Sequence, residues 1–219
     1  MKAKLREMYI ENVQRMTNLR IEFPELHGPF LIFPSERYCN AKTKILIIGQ
    51  QTRGWTTSDD VEKQLECYRD FDFGRKYRSP FLRVFHKLEK AILNEDYIAT
   101  WDNINRFDFK CKRPPLEIEK RISDLDFLLV REIEILKPDI CIWLVGPDFD
   151  ERLKAIFKGL VFGRIEGWTE RQLCRIEHPL LPEKTYRTYH PQFLIRRHLE
   201  DRAITTLRKE IGAHSDRGE

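Results

Sequence analysis

Apolar residues along this chain fall into two patterns. Some recur every three or four positions, and others run unbroken for a few residues. Leu5, Met8, Tyr9, Val13 and Met16 keep helical spacing and predict a helix over 2–18. Lys44–Gly49 holds a continuous apolar run, short enough for a strand buried on both faces of a parallel sheet. Beyond it, Thr57 or Ser58 is placed to cap a helix running through Tyr68. A further helix is expected to start near Ser79 and Pro80, with Phe81, Val84, Phe85 and Leu88 on one face. "DYIATW" (96–101) reads as a second strand. The segment 112–138 has the clearest helical period, carried by Ile118, Ile122, Leu125, Leu129, Ile133 and Leu136 between prolines. "DICIWLVG" (139–146) predicts a third buried strand, followed by a short helix through Phe157. Residues 160–176 are weakly patterned, with room for a strand. "KTYRTY" (184–189) reads as a late strand leading into a terminal helix over 190–212.

Strands alternating with helices imply an α/β three-layer sandwich, a central mostly parallel sheet with helices on both faces. Without repeats, low-complexity tracts or linkers, the chain reads as a single domain over 1–219. Residues 1–43 are its N-terminal helix and loop, packed on the rest. Ligands of such sheets sit beyond the carboxyl ends of the strands. That rule gathers four segments on one rim: 49–55, 101–107, 146–150 and 189–197.

Composition narrows the class. With 219 residues, 41% hydrophobic and 11% aromatic, the chain can bury a core. A net charge of +4 permits an anionic partner without demanding one. The five cysteines are scattered without a CxxC pair, so reduced thiols and a cytoplasmic location are expected, and a zinc site is not. No segment approaches the ~20 apolar residues of a spanning helix, and no Gly-rich nucleotide loop is present. We expect no membrane partner, no cofactor and no metal, and a monomer.

The rim segments carry amides, a histidine and arginines. Gly49, Gln50, Gln51, Thr52, Arg53, Gly54 and Trp55 follow the first buried strand. Asn103 and Asn105 follow the second. His190, Pro191, Arg196 and Arg197 lie in "TYHPQFLIRR". Amides read the hydrogen-bonding edge of a heterocycle, a histidine can donate to a negative leaving group, and arginines and freed backbone N–H groups hold phosphates.

In order and spacing, "ILIIGQ", "DYIATWDNINRF", the stretch from Arg113-Pro114-Pro115 into "ICIWLVG", and "TYHPQFLIRR" resemble the motifs of the uracil-DNA glycosylase superfamily, over roughly 44–205. The resemblance is to its thermostable bacterial and archaeal branches. It implies base flipping out of damaged or uracil-containing DNA, followed by hydrolysis of the N-glycosidic bond. It implies that Asn103 reads the base and that His190 stabilises the departing pyrimidine. Backbone around Pro191 and Gly54 would pinch phosphates, helped by Arg53, Arg196 and Arg197. Tyr77, Phe81 and Trp55 are candidates for stacking on the base.

The chain departs from the family at two places. Where the best-known branch keeps a water-polarising aspartate, this sequence has Gln51, an amide that orients water but takes no proton. The four cysteines of the thermostable branches' iron–sulfur cluster are absent apart from Cys111, so no cluster is expected. Two readings therefore stand: a DNA glycosylase, and a catalytically weak or inactive protein that binds nucleic acid or nucleotide on the same fold.

Overall fold

Ile45, Leu46, Ile47 and Ile48 are all fully buried, which requires a strand with packed layers on both sides. The structure, a computed structural model, describes residues 1–72, 75 and 77–213. In chain order its elements are α1 (Lys2–Glu22), β1 (Leu26–His27), α2 (Glu36–Asn40), β2 (Ile45–Gly49), α3 (Val61–Phe71), α4 (Pro80–Leu93), β3 (Thr100–Asn103), β4 (Asp108–Phe109), α5 (Leu116–Ile122), α6 (Asp126–Leu136), β5 (Ile140–Trp143), α7 (Asp150–Ile156), β6 (Val161–Arg164), β7 (Leu173–Glu177), β8 (Lys184–Thr188), α8 (Pro191–Arg196) and α9 (Glu200–Ala213).

The main sheet runs β3-β2-β5-β8-β7-β6. Its first four strands are parallel, and β7 and β6 extend it antiparallel. Alternate residues of the central strands enter different cores, as a period of two demands. Leu46, Ile48, Cys141 and Trp143 pack with Leu5, Met16, Leu65 and Leu129 of α1, α3 and α6. Ile45, Ile47, Ile140 and Ile142 pack with Phe85, Leu88, Ala203 and Leu207 of α4 and α9. The chain is thus an α/β three-layer sandwich. A separate ribbon pairs β1 with β4, setting His27 opposite Asp108. Among the described residues no helix is long and apolar enough to cross a membrane.

Several predicted boundaries move, each for a local reason. Strand β3 begins at Thr100 rather than 96, because the buried carboxylate of Glu89 takes the backbone N–H groups of Tyr97, Ile98 and Ala99. Those donors are no longer available to a strand ladder. The expected helix over 112–138 splits into α5, a 3-10 turn at Ser123–Leu125, and α6. At the break the Ser123 hydroxyl bonds the Lys120 carbonyl at 2.6 Å, a competition typical of serine. The terminal helix breaks at His198, whose φ of 55° separates α8 from α9. Helix α3 is capped by Asp60, not Thr57 or Ser58, through bonds to the Glu62 and Lys63 N–H groups. Residues 160–176 contribute to a hairpin, not one strand; its outer member β6 is largely exposed, which explains the weak pattern.

One polar network lies inside the first core. Arg106 forms an ion pair with Glu132 of α6, and Glu132 also accepts the Tyr9 hydroxyl from α1. Asp102 of β3 is fully buried alongside. Burial first, then the Glu132 carboxylate, raises the Asp102 pKa well above its usual range. Its Oδ2 meets no hydrogen-bond partner among the described residues. Its other oxygen accepts the backbone N–H of Asn103 at 2.7 Å. The network thus fixes the end of β3.

Removing the cation from this network leaves a buried anion uncompensated. Arg106→Met is expected to lose about 3–5 kcal/mol of stability, read from urea denaturation followed by circular dichroism. A loss no larger than that of an exposed arginine contradicts this account of the network.

Candidate functional site

The parallel strands end on one rim, and an open cleft of about 850 Å³ lies there. The loop after β2, the end of β3, the start of α4 and the turn after β8 all line it. Gly49 sits beneath this rim. A Cβ on it would lie 2.6 Å from Asn103 Oδ1 and 2.9 Å from Phe81 Cε2. Only glycine lets the Asn103 amide and the Phe81 ring close over the strand end. The Gln50 amide is taken by the fold, donating to the Val145 carbonyl at 2.7 Å and tying β2 to the segment after β5.

Asn103 is 1% exposed and lines the cleft. Its Oδ1 accepts the Trp101 indole N–H at 3.0 Å, which fixes the amide's orientation. Its Nδ2 has no partner among the described residues. A buried unpaired amide costs ~1–3 kcal/mol, so this donor is available to a ligand in the cleft. Gln51 Oε1 is likewise buried and unpartnered on the cleft wall. Among the described residues, the cleft therefore presents an orphan donor at Asn103 and an orphan acceptor at Gln51.

His190 caps α8. Its Nδ1 accepts the Gln192 N–H at 3.3 Å. A neutral imidazole with Nδ1 so engaged carries its proton on Nε2. Burial, and then the positive charge of Arg53, depress its pKa from 6.5 to about 4. His190 is thus uncharged at neutral pH and brings an Nε2–H donor to the cleft. Gly146, with φ of 81°, backs this turn; a Cβ there would lie 3.7 Å from the His190 backbone nitrogen.

The loop after β2 owes its shape to Asp108, which the sequence reading did not single out. Its Oδ2 accepts the Thr52 hydroxyl at 2.9 Å, the Gly54 N–H at 2.7 Å and the Trp55 N–H at 3.2 Å. Its Oδ1 accepts the Cys111 N–H at 2.8 Å and meets His27 Nδ1 at 3.0 Å. A lone acid between two aromatics in "RFDF" was the available signal. Thr52 therefore serves the loop, with its hydroxyl turned to Asp108. Trp55 is a core aromatic, edge-on to Phe30, with its indole N–H on Gln64.

The remaining predicted residues divide. Gln51, Arg53, Gly54, Tyr77 and Phe81 line the cleft with Asn103 and His190. Phe81 packs on Trp101, and the exposed Tyr77 stacks on Phe71. Asn105 is fully buried elsewhere: its amide bonds Glu119 and accepts from Arg152, a structural knot away from the cleft lining. Pro191 is buried as the first residue of α8. Arg196 and Arg197 are exposed, lie over the Phe193 ring and do not line the cleft. The segment 146–150 also stays off its lining. Besides Arg113, which pairs with Glu119, three cations not singled out in the sequence line it: Lys63, Arg78 and Lys112. With Arg53, they form no ion pair with a described acidic residue, unlike most arginines of this chain. Two acids, Glu66 and Asp70 of α3, share the lining.

No family model matches the chain, and no curated protein matches its sequence.

The state of His190 can be read directly. A nitrogen-detected pH titration by NMR is expected to show an Nε2–H tautomer at pH 7 and a midpoint about 4. Arg53→Gln should raise that midpoint. The sign for stability follows: the unfolded histidine takes a proton near 6.5 and the folded one only near 4. This histidine therefore lowers stability as pH falls from 6.5 to 4, and no further below. A midpoint near 6.5 in the folded protein contradicts the assignment.

Proposed function

We propose that this chain is a DNA N-glycosylase that flips a uracil or another damaged base out of DNA and hydrolyses its N-glycosidic bond. One observation carries the reading: an uncharged His190 with an available Nε2–H shares a cleft with the unpartnered Asn103 amide. Support also comes from size, since ligand clefts typically span ~300–1,000 Å³. It comes as well from the unpaired cations at the cleft wall, which suit a phosphate backbone.

Chemistry then assigns roles. The Asn103 Nδ2 donates to a carbonyl of the extruded base, and Phe81 offers it an aromatic surface. When the bond between C1′ and the base nitrogen breaks, its electron pair passes to the base. Negative charge on the carbonyl oxygen beside that nitrogen is met by His190 Nε2–H. A neutral donor of this kind stabilises charge without giving its proton away. Water then bonds to C1′ and loses its proton to solvent. Gln51 Oε1 accepts a hydrogen bond from that water and orients it, and cannot serve as the base. Arg53, Lys63, Arg78 and Lys112 hold flanking phosphates.

A second reading rests on Gln51. With an amide where a water-activating acid is expected, the same cleft suits a protein that binds a damaged base or nucleotide without turnover.

The deciding experiment measures free-base release from oligonucleotides carrying uracil, hypoxanthine or alkylated bases. The expected outcome is release that drops about 10²–10³-fold in His190→Ala and falls sharply in Asn103→Ala. Absence of release from every substrate rejects the enzyme. Salt-dependent binding without release, its salt slope reduced by about one for Lys112→Ala, favours the second reading.

A further inference from the structure

A cluster of metal-ligating side chains lies behind the cleft loop, outside the machinery described above. His27 ends β1, Asp108 opens β4, and Cys111 sits in the turn after β4. His27 Nδ1 is 3.0 Å from Asp108 Oδ1, and Cys111 Sγ is 3.8 Å from His27 Nδ1. One ligand atom from each residue lies within 4.8 Å of the others. Ligands held ~2.0–2.3 Å from a tetrahedral zinc ion stand roughly 3.3–3.7 Å apart, so small side-chain shifts complete the cage.

The backbone is built to present the thiol. Phe109 and Lys112 pair as a bridge around a two-residue turn, Lys110-Cys111. Both turn residues have positive φ, 49° and 62°. Such turns normally carry Asn-Gly, because other residues pay for the left-handed conformation. Here a cysteine occupies it, with its Sγ on the side of His27 and 3.1 Å from where a Gly54 Cβ would stand.

We propose that His27 Nδ1, Asp108 Oδ1 and Cys111 Sγ bind one zinc ion, with a water as fourth ligand on the exposed cysteine side. The mixed N, O and S set suits zinc rather than magnesium or calcium, which take oxygen ligands. Without the ion, the His27 ring and Asp108 share a hydrogen bond. Zinc takes the place of that shared proton, leaving the neutral imidazole with its proton on Nε2, and of the thiol proton of Cys111, which is released to solvent. The site is distinct from a four-cysteine cluster: Cys111 is its one sulfur ligand. It also differs from the absence of metal expected from the sequence, because His27 and Cys111 are 84 residues apart. Since Asp108 Oδ2 holds the loop at Thr52, Gly54 and Trp55, the ion would brace that cleft wall from behind. The proposal does not depend on base release.

Cobalt(II) is the probe. The full chain, stripped with chelator and kept reduced with a thiol-free phosphine, is titrated with Co²⁺ and followed by absorption. The expected result is a thiolate-to-cobalt charge-transfer band saturating at one equivalent and bleached by Zn²⁺. Cys111→Ser should abolish the band, His27→Gln should weaken Co²⁺ binding, and Cys67→Ser should leave it intact. Zinc should also raise the melting temperature of the wild type but not of Cys111→Ser, with circular dichroism verifying that each variant is folded. No band at one equivalent, or a band that survives Cys111→Ser or is unaltered by His27→Gln, overturns the site. Should Cys111→Ser fail to fold, the His27→Gln and wild-type titrations decide alone.

Discussion

The rim of this protein hangs on one carboxylate. Asp108, fully buried in a two-stranded ribbon, gathers donors from the loop after β2, from the β4 turn and from β1. A carboxylate offers about four lone-pair sites, and here they are filled by groups from three separate stretches of chain. Without that convergence, the glycine-bordered loop after β2 would have no fixed course, and neither Gln51 nor Arg53 would have a defined place. The ribbon is small, yet it sets one wall of the cleft.

The other wall is set by the sheet. Parallel register brings Gly49 level with Asn103, and the missing side chain at Gly49 is the gap into which the Asn103 amide and Phe81 fit. Beneath them, the buried Asp102, beside the Arg106–Glu132 pair, holds the Asn103 backbone from inside the core. Across the cleft, Arg53 contributes twice. Its charge suits an anionic ligand, and the same charge adds to burial, the larger cause, in disfavouring a cationic His190. A cationic wall and a neutral histidine are therefore one arrangement, not two.

Much of this was legible in the sequence, and what was not has identifiable causes. The apolar run at 45–48 and the one at 140–143 could only be central strands, and their ends fixed the rim. Asn103, Gln51, Arg53 and His190 were then placed on the rim by position, whereas Phe81 came only from the family resemblance. Asn105 misled because a polar residue on a rim looks the same whether it faces a cleft or a buried partner, and Glu119 and Arg152 are remote in sequence. Glu89 and Ser123 altered element boundaries through single side-chain bonds to backbone, which no hydrophobic period reports. Asp108 and its partner His27 stayed hidden for the same reason, since 81 residues separate them.

The unpaired Asn103 amide has a consequence for how this protein would respond to selection. A leucine of similar size at position 103 would remove the unmet Nδ2 donor from the interior, but it would also strand the Trp101 indole N–H that Asn103 Oδ1 accepts. An apolar residue there is therefore no simple route to heat resistance, even though one donor of the amide goes unmet. Stability screens on this chain would have to vary residues 103 and 101 as a pair, because changing either alone leaves a buried polar group of the other without its partner.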